Sequence, residues 1–124
     1  MIKEQPAHLA YALYAGTHNA SRPSAHVFTS DDRALRGPSA LPTNTWSHLA
    51  MTWDGSQLRL YVDGAEIANR AAPGTLLTST GQLRIGGNSL RGEFFSGLID
   101  EVRVYDRALS ASRIGADMNA PVNP

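Results

Sequence analysis

Apolar and polar residues alternate along much of this chain, and glycine or proline interrupts the alternation at short intervals. That combination predicts short strands joined by tight turns, and hence an all-β domain. Strands are expected over residues 9–15, 25–29, 45–53, 57–62, 65–70, 82–86 and 95–105. The centre is clearest. Asp54-Gly55 and Asp63-Gly64 each separate two β-rich runs, and Asp-Gly at such a place marks a tight hairpin. Two in succession predict a three-stranded antiparallel meander. Leu58, Leu60 and Val62 alternate with Arg59, Tyr61 and Asp63, so that strand has one buried and one wetter face. In the preceding run, apolar residues fall on both faces: Trp46, His48 and Ala50 on one, Leu49, Met51 and Trp53 on the other. A strand covered on both sides implies two layers, so the expected architecture is an antiparallel β-sandwich with Trp46 in its core.

Residues 98–110 read as a core strand running into a capped helical turn. Leu98, Asp100, Val102 and Val104 share one face; Ile99, Glu101, Arg103 and Tyr105 share the other. Ser110 is placed to cap a short helical turn containing Ile114, which Gly115 would soon end. Residues 119–124, rich in Asn and Pro, look like a linker, leaving 1–118 for the domain.

Composition narrows the classes of partner. The chain has 124 residues, formal net charge zero and no cysteine. Its length suits one domain with its own core. Without a basic excess it is not expected to bind nucleic acid. No run approaches membrane-spanning length, so no membrane insertion is expected, and no signal peptide is visible in this chain. Disulfides, thiolate metal sites and a cysteine nucleophile are excluded.

Several stretches, in this order, resemble a known family: residues 46–55 (WSHLAMTWDG), 58–64 (LRLYVDG), 83–87 (LRIGG), 95–105 (FSGLIDEVRVY) and 108–110 (ALS). Together they are similar to the second half of a laminin-G-like domain of the concanavalin A-like lectin/glucanase superfamily. The resemblance covers residues 41–118 strongly and 9–40 weakly. It implies a jelly-roll sandwich and a secreted or extracellular module that binds a glycan or a cell-surface or extracellular protein. The family's opening strands are not found here, so the sandwich is expected to be incomplete. An incomplete sheet presents unpaired edges and apolar area. Self-association as a homo-oligomer, or a partner chain covering the missing strands, is the expected consequence, and a structural or assembly role is the alternative to glycan binding.

The resemblance also bears on candidate chemistry. Asp100, a carboxylate among branched aliphatics, reads either as a calcium ligand, as in related modules, or as a carboxylate bonded to backbone amides or to Arg or His in the core. Glycan sites stack sugar rings on aromatic side chains and hold hydroxyls with polar ones. Tyr11, Tyr14, Trp53 and Tyr61 are the ring candidates, with Arg59, Asn88 and Arg91 as polar partners; core packing is the competing reading of each aromatic. Phe94-Phe95 should point to opposite faces of a strand, leaving one exposed. The loop 88–92 is a candidate ligand rim or an ordinary connection. His8, His18, His26 and His48 match no zinc spacing, and His48 reads as a core histidine. Asn19-Ala20-Ser21 fits a glycosylation sequon, a pattern common by chance.

Catalysis is not expected. Glycosidases need two carboxylates facing one bond. Laminarinase-type members of the superfamily carry them as Glu-x-Asp-x-x-Glu, a string not found here. Asp100 and Glu101 are neighbours on opposite strand faces, and no Gly-x-Ser-x-Gly elbow occurs.

Overall fold

The two Asp-Gly turns organise the centre of the fold. In a computed structural model, which describes residues 1–16 and 21–123, they join β5 (Leu49–Trp53), β6 (Gln57–Val62) and β7 (Ala65–Ala71) into the expected antiparallel meander. Asp63 and Gly64 both have positive φ, 51° and 81°, a turn that matches the twist of paired strands and that glycine enters without steric cost. The Asp63 carboxylate accepts the His48 amide at 2.8 Å, fixing the entry to β5. Asp54 does the same at the other turn, accepting the amides of Ser56 and Gln57.

A second sheet runs in the order β4-β3-β2-β1-β8, from β1 (Ile2–Gln5), β2 (His8–Tyr14), β3 (Ser24–Phe28), β4 (Asp32–Arg36) and β8 (Leu83–Arg84). The two sheets stack. Ala25, Val27 and Leu35 from one meet Leu58 and Leu60 from the other, with Ala72 completing the buried cluster. Tyr11, Leu13, Met51, Trp53 and Ile67 pack around it. The expected two-layer antiparallel sandwich is therefore the fold.

A short hairpin, β9 (Gly87–Asn88) with β10 (Glu93–Phe94), forms a third element. Tyr14 pairs with Ser24, so its side chain leaves the five-stranded sheet on the face opposite Leu13 and the core. It donates to Glu93 of the hairpin, and Ser89 donates to Glu4 of β1. The hairpin thus lies over the outer face of that sheet, where Ala12 is fully buried.

The helix α1 (Ala111–Met118) begins at Ser110 as expected, with the Ser110 hydroxyl accepting the Arg113 amide and Ile114 buried. Gly115 does not end it; the helix runs on to Met118. No helix among the described residues is long and apolar enough to cross a membrane.

Three expectations need correction. β1 and β4 were not anticipated, because each carries mostly charged or polar side chains. Trp46 is not in the core: it precedes β5 and is 64% exposed. The largest difference is at residues 98–105, which form no strand. Glu101 adopts φ 53°, and its amide donates to Asp100, which breaks the extended run. Among the described residues nothing forms a ladder with this segment, so its backbone stays in water and its apolar side chains are uncovered. It is moored instead to the helix end: Arg103 donates to the carbonyls of Asp117 and Ala120, and Tyr105 donates to the Asp117 carboxylate at 2.6 Å.

Candidate binding site on the outer hairpin

Three of the proposed site residues are brought together by the β9–β10 hairpin: Tyr14, Asn88 and Arg91. Asn88, only 1% exposed, donates to Glu93 Oε2 at 2.8 Å and accepts the Arg91 amide at 2.7 Å, so it closes the 88–93 turn from inside. The Tyr14 hydroxyl donates to the same Glu93 oxygen at 3.2 Å. Its ring meets His26 edge-on at 5.5 Å between centroids. Burial, then the Glu93 charge and hydrogen bond, push the Tyr14 hydroxyl up to about 12. Both groups thus position the hairpin rather than present themselves to a ligand.

Beside them Glu4 anchors the strand that carries the groove. It forms an ion pair with Arg84 at 3.0 Å and accepts the Ser89 amide. Burial alone would raise the Glu4 carboxyl; Arg84 and Ser89 outweigh it and hold it below the ordinary value. The result is an open groove of about 460 Å³ lined by Arg84, Ile85, Gly86, Gly87, Asn88, Ser89 and Phe94.

Phe94 is the most exposed apolar side chain of this groove, at 79% against 52% for Ile85. It sits opposite Gly87 in the hairpin, and a Cβ at Gly87 would come within 2.6 Å of the ring. One side of the ring therefore rests on glycine backbone, and most of the remainder faces solvent. Phe95 is exposed as well, and its ring lies beside Gly97. So both aromatics of the pair face water, where only one was expected to.

The remaining proposed residues lie elsewhere. Tyr61 is 3% exposed and shows no ring face. Trp53 packs on the core and donates its indole N–H to Ala72 at 2.8 Å. Tyr11 packs there too. Arg59 pairs with Asp54 at 2.9 Å and Glu66 at 3.7 Å on the meander. Asp100 is exposed and, among the described residues, accepts only the adjacent Glu101 amide. Calcium takes roughly six to eight oxygen ligands. Among the described residues no three His, Cys, Asp or Glu side chains converge. The donors at Asp100 do not fit that ion. His8 stacks on Phe28, His26 pairs with Asp32, and His48 keeps a buried, unpartnered Nδ1. His18 and the first two sequon residues, Asn19 and Ala20, lie outside the described residues.

Comparison with known proteins agrees with this architecture. The family model Laminin_G_3, of the concanavalin A-like lectin/glucanases superfamily, matches residues 4–115. The chain belongs to this laminin-G-like family. A solved S-layer domain-containing protein from Clostridium thermocellum ATCC 27405 is similar in fold, with a TM-score of 0.57 and 24% identity over 94% of this chain. The chain spans 63% of the length of that structure. None of the curated proteins matches.

Within this laminin-G-like domain, Glu4, Arg84 and Glu93 were not singled out from sequence. Glu93 had a usable signal, since it stands across the Gly92 turn from Asn88. Glu4 and Arg84 had none, because their partnership joins β1 to a strand far along the chain.

Proposed function

We propose that this laminin-G-like domain is a non-catalytic glycan-binding module of an extracellular or cell-surface protein, with the β8–β10 groove as its site. The observation that carries the reading is the Phe94 ring, seated against Gly87 and open to solvent beside the Arg84 and Ser89 side of the groove. A ring of this kind offers an apolar platform to the C–H face of a sugar, while neighbouring polar groups meet its hydroxyls. Glu4 and Glu93 are both tied to protein donors, which suits them to holding the groove's shape rather than to acid–base work. Membership of the superfamily and the fold-level likeness to a surface-layer protein support the same reading without assigning a ligand.

A glycan array followed by calorimetry tests it, using the intact chain and Phe94→Ala. The expected result is binding that disappears in Phe94→Ala while thermal unfolding is unchanged, and that persists with a chelator present. No glycan bound with or without calcium, or full binding by Phe94→Ala, overturns the proposal.

A further inference from the structure

Residues 98–105 have the alternating chemistry of a strand but, among the described residues, neither a ladder nor a covering strand. Leu98 is 78% exposed, and Val102, Val104 and Tyr105 are also exposed. An edge of this kind is a template for another chain. We infer that its occupant is a second copy of the same segment, paired antiparallel about a two-fold axis through Val102.

The charge pattern selects that occupant and register. A two-fold axis normal to a joined sheet places residues of like face opposite one another. With Val102 opposite its own copy, Glu101 falls opposite the partner's Arg103, and Arg103 opposite the partner's Glu101. Ile99 then meets the partner's Tyr105. Moving the register by two residues either way sets Glu101 against the partner's Glu101, or Arg103 against the partner's Arg103. Opposite charges across a strand pair stabilise it and like charges oppose it. The attraction already exists within one chain, where Arg103 Nη2 lies 3.4 Å from Glu101 Oε2. Pairing exchanges this contact, the Arg103 bonds to the Asp117 and Ala120 carbonyls and the bond from the Val122 amide to Glu101 for the intermolecular pair and its ladder, and it returns Glu101 from its positive φ to extended backbone. Net charge zero leaves no overall repulsion between copies. The surface is separate from the glycan groove proposed above, except that Ile99 reaches toward Gly86 at its border.

The native chain lacks cysteine, so one introduced thiol reports one position. Light scattering of the full chain over a concentration series should show a mass twice the 13.3 kDa of one chain. Under mild oxidation Val102→Cys should cross-link to itself, and Glu101→Cys should cross-link to Arg103→Cys but not to itself. Val102→Lys should return the mass to that of one chain. Its melting temperature at high dilution should match the parent, which shows that the variant is folded. A mass of one chain at every concentration overturns the inference. So does an unaltered dimer in Val102→Lys, or self-cross-linking by Glu101→Cys in place of Val102→Cys. A lone chain whose 98–105 amides resist hydrogen exchange overturns it too, because its own backbone would then be the cover.

Discussion

Leu60 and Leu98 are the same residue at positions that alternation alone assigns to buried faces, yet the fold separates them. Leu60 is 0% exposed in the middle strand of the meander, against Ala25, Val27 and Leu35; Leu98 is 78% exposed. Truncating each to alanine removes the same three carbons. At about 0.8 kcal/mol per buried carbon, Leu60→Ala loses about 2.4 kcal/mol of transfer energy. The cavity left between two sheets raises the total to about 3 kcal/mol. For Leu98, with about a fifth of that burial and no cavity, the same arithmetic gives about 0.5 kcal/mol. A chain of this length has an unfolding entropy of about 0.26 kcal/mol/K, so the expected shifts in Tm are about 12 °C and about 2 °C. Thermal unfolding followed by circular dichroism measures both. It should be done at micromolar concentration, so that association through residues 98–105 does not contribute. Equal losses for the two variants would refute the reasoning, because residues 98–105 would then lie inside a core.

Other consequences are equally direct. Asp54 is held at about 2, below its ordinary 3.8, by the Arg59 hydrogen bond and then the Gln57 and Ser56 amides. Its stabilisation is complete above about pH 4 and is lost as pH falls toward 2, so Asp54→Asn should flatten the acid limb of the unfolding profile in that window. Tyr14, raised from 10.0 to about 12, stabilises the fold fully below pH 10 and ceases to do so as pH rises through 12. Tyrosinate absorbance should show a late component that Tyr14→Phe removes. A Cβ at Gly81 would collide with the Glu4 carbonyl, so Gly81→Ala should lower stability by about 1–3 kcal/mol in urea titration, as overpacking does. Ser110→Ala should cost about 1 kcal/mol through loss of the α1 cap, read by the same titration.

The parts of the fold legible in sequence are those set by neighbours in the chain. The Asp54-Gly55 and Asp63-Gly64 turns, the face of Leu58 and Leu60, and the Ser110 cap all follow from local backbone chemistry. β4 escaped notice because an edge strand with Arg33 and Arg36 shows little alternation. β1 did so because Glu4 is buried by partners from β8 and the 88–93 turn, which no local pattern reveals. Residues 98–105 failed the opposite way. Alternation states what a segment can pair with, but a strand also needs a partner, and no strand of the described residues pairs with this one. For the site, Asn88, Arg91 and the Phe94-Phe95 pair were visible as turn and aromatic signals. Tyr61 and Trp53 were ambiguous, because a ring that stacks on sugar and a ring that fills a core look alike until exposure is known.

The mooring of Arg103 to the last carbonyls of α1 joins two regions that would otherwise behave independently. A guanidinium there neutralises the negative end of the helix dipole, so fraying of the final turn and release of residues 101–103 become a single reciprocal equilibrium. Whatever draws the 98–105 segment away from the body loosens the helix terminus by the same free energy, and a clamp on that terminus holds the segment in place.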